Sequence, residues 1–257
     1  MNKAITRLLV LLVVAITAIA QQQPSDGSIP STLAITYFSK PADRVAFRDY
    51  MVRTGLPRFQ KWKTDGLLNH YRVLFSSYLD TDTPAMIVLL DFSNPAAATR
   101  WMKIEDSMPG GLSNAGLSLV TSAQTAQMDR IFHGASTSPA GPDESVFMII
   151  PYEFYVSAPE YRKYMEEYGV PQFEGWLQEN VLASYDVYQN RYSASKPWGS
   201  LIVFEYRNAE ALGRREATMA KVRASLQSNA AWKAISETKH KIREEREAFM
   251  AQELPVP

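Results

Sequence analysis

Six side chains in four short apolar runs have the types and spacing to bind a polar group or move a proton. In NHYRVLFSSYL, strand alternation sets His70, Arg72 and Leu74 on one face and Tyr71, Val73 and Phe75 on the other. In SYDVYQNRY the same alternation separates Ser184, Asp186 and Tyr188 from Tyr185, Val187 and Gln189. The second face keeps Tyr and Val in both runs, as a face packed on helices requires. The first face is polar and differs between the runs, so it is expected to line an enclosed space. Asp91 and Glu205 add matched acids to the otherwise apolar runs AMIVLLDFS and GSLIVFEYR. Such a carboxylate lies either at a strand end in water or buried beside a partner. A lumen set of His70, Arg72 and Asp91 with Asp186, Tyr188 and Glu205 could hold the polar group of a ligand. Within it His70 could act as a general base if it titrates near neutrality. Arg72 or a tyrosine could then stabilise developing oxyanion charge. The structural alternative is an ion pair between Arg72 and Asp186 that ties two halves of the chain together.

The remaining chemistry is sparse. Of the three histidines, His133 ends an apolar run beside Phe132, and His240 lies in KHKIREERE, whose alternating charge reads as a solvated helix face. The chain has no cysteine, which excludes thiol catalysis, iron–sulfur clusters and cysteine zinc sites. G-x-S-x-G, nucleotide-binding glycine loops, H-E-x-x-H and calcium loops are absent, and no metal site is expected. No cofactor is expected either, with one opening: a haem held through a single axial bond from His70 or His133. Trp62, Trp176, Tyr50 and Tyr164 recur at fixed spacing and read as core. Trp101 and Trp198 have no such counterparts and are candidates for a one-sided role.

The elements that must position these residues come in two sets. FRDYMVRTGLPRFQKW and YRKYMEEYGVPQFEGW begin at Phe47 and Tyr161, an offset of 114 residues. The same offset pairs Gly55 with Gly169, Trp62 with Trp176, Tyr71 with Tyr185 and Asn94 with Asn208. A period this long makes each copy a small domain of its own. Each opens with a strand run, TLAITYF or SVFMIIPYEF. A helix follows, opened by Pro41 or Pro159, with Phe47, Tyr50 and Met51 (or Tyr161, Tyr164 and Met165) on one face. The Gly-x-Pro-x-Phe segment is expected to break that helix before a second short turn. Two strands joined by a hairpin come next, then a helix capped by Asn94 or Asn208. AQMDRIF closes the first unit. In the second, a longer charged helix over SETKHKIREERE precedes a strand near AFMAQEL. This order is the split βαβ, ferredoxin-like plan.

One such unit covers only one face of its sheet. The expected fold is therefore α+β: two tandem ferredoxin-like repeats whose antiparallel sheets pair into a pseudo-dimeric α+β barrel. F-x-x-Y-x-x-x-x-G-x-P, carried by Phe47, Tyr50, Gly55 and Pro57 and again by Tyr161, Tyr164, Gly169 and Pro171, resembles the first-helix signature of the dimeric α+β barrel superfamily. The nearest likeness is to its EthD-like and NIPSNAP-like branches. The resemblance implies the barrel fold and leaves the function open, since that superfamily includes cofactor-free oxygenases, isomerases, haem-using enzymes and proteins without known activity. Where the EthD-like pattern has a histidine, this chain has Gly55 and Gly169, so any acid–base chemistry of that histidine is absent.

The expected domain limits are residues 1–20 as a secretory signal peptide, 21–30 as a flexible tether, 31–133 as the first repeat, 134–144 as a linker and 145–257 as the second. Lys3 and Arg7 precede an apolar run ending in small residues, the pattern of a cleaved leader. Export to the periplasm or medium is the expectation, with no membrane association after cleavage. Twenty-seven basic residues balance twenty-seven acidic ones without basic blocks, which gives no case for nucleic acid. The expected function is binding of a small, largely apolar molecule between the two sheets. The alternative is a cofactor-independent oxygenase or isomerase acting on an aromatic or enolisable substrate. The pairing of repeats is intramolecular, and free edges leave room for a further oligomer.

Overall fold

The structure, a computed structural model, describes residues 32–80, 83–138, 140–141, 144–193, 196 and 198–255. The expected signal peptide and tether lie outside the described residues. The first half begins with β1 (Thr32–Phe38), then α1 (Arg44–Tyr50), a π-helical turn (Met51–Gly55) and α2 (Leu56–Thr64). β2 (Leu68–Ser76) and β3 (Met86–Phe92) follow, then α3 (Pro95–Ser107), a short α4 (Asn114–Leu117) and β4 (Ser122–Ala135). The second half repeats the order with β5 (Val146–Phe154), α5 (Ala158–Tyr164), a second π-helical turn (Met165–Gly169), α6 (Val170–Gln178), β6 (Leu182–Asn190) and β7 (Ser200–Tyr206). It ends with α7 (Ala209–Gly213), α8 (Arg215–Leu226), α9 (Ala230–Thr238), β8 (Arg243–Glu245) and β9 (Phe249–Glu253).

Within each half the strands order as β4-β1-β3-β2 and β9-β5-β7-β6, all antiparallel. The halves join edge to edge. β4 pairs with β6 and β2 pairs with β9, closing eight strands into a barrel, with β8 added on β5. Closure removes the free edges that a lone unit would expose. The 14-residue β4 serves both sheets, its first part pairing with β1 and its last part with β6.

Strand alternation then gives three cores. Outside the barrel, Ile35, Phe47, Phe59, Val88 and Trp101 pack the first half's sheet on its helices. Tyr161, Phe173, Val187, Phe204 and Trp232 do the same in the second. Inside the lumen, Ala34, Leu74, Met128, Phe147, Leu201 and Phe249 come from both halves. Each such Leu or Phe contributes about 1.5–3 kcal/mol by leaving water, so lumen packing also holds the halves together. Trp101 belongs to the outer core, its indole N–H donating to Glu105 at 2.9 Å. Asn94 and Asn208 cap α3 and α7 as expected, accepting from Ala97 N at 2.9 Å and Ala211 N at 2.8 Å.

Two expectations fail. The Gly-x-Pro-x-Phe segment does not break the first helix: the chain stays helical from Arg44 to Thr64. At the π-turn Leu56 N bonds Met51 O, five residues back, and Val170 N bonds Met165 O likewise. That register change places Pro57 and Pro171 in a fresh first turn, where a missing N–H costs nothing. Gly55 is needed for space: a Cβ there would lie 2.7 Å from Met51 Sδ, and one on Gly169 would lie 2.5 Å from Met165 Cε. Both glycines thus make room for buried methionines. KHKIREERE also departs from its expected helix. α9 stops at Thr238, a 3-10 turn spans Lys239–Lys241, and Arg243–Glu245 is the edge strand β8. Alternating charge suits an edge strand as well as a helix face, and the β5 edge was available to pair.

Candidate functional site

All six residues selected from the sequence point into the barrel or line its rim at one end. That end collects the starts of β1, β2, β5 and β6 and the finishes of β3, β4, β7 and β9. A cavity of about 210 Å³ opens there, lined by His70, Arg72, Asp91, Asp186 and Tyr188 with Arg130, His133 and Ser184. Glu205 stands behind this wall, holding Arg72 at 3.4 Å and accepting from the Ser184 and Ser145 hydroxyls at 2.7 and 2.9 Å. Leu74, Met128 and Phe147 fill the lumen beyond, so the cavity is a cup rather than a channel.

Arg72 and Asp186, matched by the 114-residue offset, do not pair with each other. Each is paired across its own seam. Arg72 Nε lies 3.4 Å from Glu253 on β9, and Asp186 lies 3.5 Å from Arg130 on β4. Strand register makes Glu253 and Arg130 equivalent, since one faces Leu74 and the other faces Tyr188, themselves 114 apart. The two seams therefore carry the same ion pair with the charges exchanged. The expected direct pair gives way because each residue meets a complementary charge on the strand it is hydrogen-bonded to. Arg72 also lies 4.9 Å over the Phe147 ring, and its nearby carboxylates raise its already high pKa against the opposing effect of burial.

A short contact in the cup involves His133, which the sequence singled out only as a possible haem ligand. His133 Nδ1 lies 2.8 Å from Asp186 Oδ1, a carboxylate that is only 8% exposed. The hydrogen bond to Asp186 raises the His133 pKa against the effect of burial. Burial alone would raise Asp186, but the His133 hydrogen bond and the His133, Arg130 and Arg72 charges hold it below the usual carboxylate range. His70 is the weaker member. It sits 4.0 Å from Asp91, is half exposed, and is lowered by burial and by Arg72. Asp91 is engaged by the Thr32 hydroxyl at 2.7 Å. Tyr188 is buried at the floor, where burial first and Asp186 second push its phenol well above the ordinary range. The arrangement can orient a small polar group and, through His133, accept or return a proton.

The place of His133 among the lumen residues was not legible in the sequence because β4 contains a bulge between Arg130 and Phe132. Counting by twos from Met128 and Arg130 sends His133 to the outer face; the extra residue returns it to the lumen. Apart from the three-residue run Arg130-Ile131-Phe132 itself, no signal marks the shift. Trp198 packs in the lumen core, and at the opposite mouth it borders a second cavity of about 130 Å³ with Phe38 and Phe249.

No family model and no curated protein matches the chain. Among solved structures, a monooxygenase-like protein of Lactobacillus acidophilus is similar at TM-score 0.52 and 14% identity, over 88% of this chain and 94% of that one. An anthrone oxidase-like protein is similar at TM-score 0.55 and 12% identity, over 87% and 90%. The fold is a dimeric α+β barrel. At such identities the likeness speaks for architecture and not for the reaction. A haem-binding protein of Thermus thermophilus is similar at TM-score 0.47 and 10% identity, over 89% and 96%. The cup's 210 Å³ is below the ~300 Å³ at which pockets for drug-sized ligands begin, and with His133 Nδ1 engaged by Asp186 the ring's Nε2 is the nitrogen left to meet a ligand. Among the described residues no group of three or more His, Cys, Asp or Glu side chains could hold a metal ion. No helix of the described residues is long and apolar enough to cross a membrane.

Proposed function

We propose that the protein binds a small molecule in the polar cup of the barrel, between the sheets of its two halves. The observation that carries this reading is the cup itself: a space of about 210 Å³ walled by titratable side chains from both halves. Because the wall is charged and its floor is sealed by Leu74, Met128 and Phe147, the group received is polar. Any largely apolar part of the ligand extends outward through the mouth. Native mass spectrometry of protein purified from its own host tests this. A retained small-molecule mass that disappears when Ser184→Trp fills the cup supports the proposal; a retained mass indifferent to that substitution overturns it.

A second reading, a cofactor-independent oxygenase or isomerase of an aromatic or enolisable substrate, is favoured by the 2.8 Å His133–Asp186 contact. In that case His133 rather than His70 is the base, since an engaged carboxylate orients its ring and raises its basicity. Turnover that survives His133→Ala would exclude it. Kinship with the EthD-like or NIPSNAP-like branches is proposed on the doubled Phe/Tyr-x-x-Tyr-x-x-x-x-Gly-x-Pro segment alone. Export is proposed on the leader pattern, and a mature amino terminus at Gln21 would support it.

A further inference from the structure

The second half holds another cavity on the opposite face of its sheet, roofed by α6, α8 and the 3-10 turn after α9. It measures about 260 Å³. Phe173, Trp176, Phe204, Tyr152 and Tyr168 supply an aromatic wall, while Arg215, Arg223, Lys239 and Arg243 supply cations against one acid, Glu245. That acid is engaged by the Tyr152 hydroxyl at 3.1 Å.

Arg243 is the anomaly. Its Nε donates to the Tyr164 hydroxyl at 2.8 Å and its guanidinium lies 3.7 Å over the Tyr152 ring. Its Nη1 is buried without a hydrogen-bond partner, and among the described residues no carboxylate forms an ion pair with it. Trp176 Nε1, also on the cavity wall, is a second buried donor without a partner. An uncompensated buried charge is costly to keep unless an anion visits it. The local field is positive as well: burial would raise the Tyr168 phenol, yet a Ser236 hydrogen bond and the Lys239 and Arg223 charges hold it below its ordinary range.

The first half shows that this space is a difference between the copies. There Trp62, the counterpart of Trp176, packs edge-on against Trp101 at 5.1 Å. The residue 114 positions after Trp101 is Arg215. Where one copy fills the slot with an indole, the other opens it and places a guanidinium on its wall.

We propose that this cavity binds a single-ring aromatic carboxylate, with Arg243 as its counter-ion. The aromatic wall receives the ring, and the volume, below the ~300 Å³ of a drug-sized pocket, limits the ligand to about one ring. This site is separate from the cup and stands or falls independently of it.

The test uses benzoate and, as its uncharged counterpart, benzyl alcohol, titrated into the full chain by calorimetry and followed by thermal denaturation. Benzoate is expected to bind and raise Tm in proportion to its concentration, with benzyl alcohol far weaker. Arg243→Met is expected to lower benzoate affinity about tenfold or more while leaving the ligand-free Tm equal to or above wild type, because it removes an unpaired buried charge. If that variant does not fold, Arg223→Gln with Lys239→Gln is expected to weaken benzoate about tenfold and flatten its salt dependence. His133→Ala in the cup is expected to leave benzoate affinity unchanged, whatever it does to the ligand-free Tm. Equal binding of the acid and the alcohol, or benzoate affinity unchanged by Arg243→Met or by the double variant, overturns the proposal.

Discussion

Replacing His133 by Gln should separate the energetics of the cup from its shape. Nδ1 of His133 lies 2.8 Å from an Asp186 carboxylate that is 8% exposed, while the histidine itself is 48% exposed. A charge-assisted hydrogen bond to a buried group contributes about 1.5–3 kcal/mol, and the half-exposed partner reduces this by solvent screening. Arg130 at 3.5 Å remains to share the carboxylate. The expected loss is therefore about 1–2 kcal/mol at pH 6, or roughly 2–4 °C in Tm for each kcal/mol. Its pH dependence is the sharper part. The folded pKa of His133 is raised, so its proton-linked stabilisation is complete below the unfolded value of about 6.5 and is lost as pH rises through the folded value. Urea denaturation of wild type and His133→Gln should show the gap narrowing from pH 6 to pH 9, and histidine NMR should place His133 above ~6.5 and His70 below it. A gap of equal size at both pH values, or a His133 that titrates below His70, would refute the assignment.

Other outcomes follow from the same geometry. Arg72→Met strands Glu205 and Glu253, each 3.4 Å from the lost guanidinium; it should cost about 2–3 kcal/mol at pH 8. The loss should shrink as pH falls and Glu253, whose pKa burial already raises, takes up a proton. Gly169→Ala should destabilise by about 1–2 kcal/mol despite alanine's better helix propensity, because its Cβ would meet Met165 Cε at 2.5 Å; pairing it with Met165→Val should recover most of that in a denaturation curve. Trp101→Ala should cost about 3–5 kcal/mol by opening a cavity in the first half's outer core, far more than a surface tryptophan would. Asn94→Ala should cost about 1 kcal/mol through loss of the 2.9 Å cap on α3.

Much of this was legible in the residues alone. Period-two alternation put His70 and Arg72 with Leu74, and Asp186 with Tyr188, on faces that do line the lumen. Helical spacing of Phe47, Tyr50 and Met51 and the asparagine caps marked the outer layer. These signals are local: each depends on neighbours within one turn or one pleat, and the chain's own stereochemistry enforces them.

Tertiary structure decided which charges meet. Arg72 finds Glu253, and Asp186 finds Arg130 and His133, because two edge strands from distant parts of the chain hydrogen-bond at particular registers. A single bulge in β4 turns His133 inward, and one added residue reverses every later side chain on that strand. The same is true of KHKIREERE, whose charge pattern fits helix or edge strand until the β5 edge claims Arg243–Glu245. Local periodicity says which way a side chain faces. Only the closed barrel says what it faces, because that depends on contacts between residues far apart in sequence, whose register is chosen by the packing of the whole.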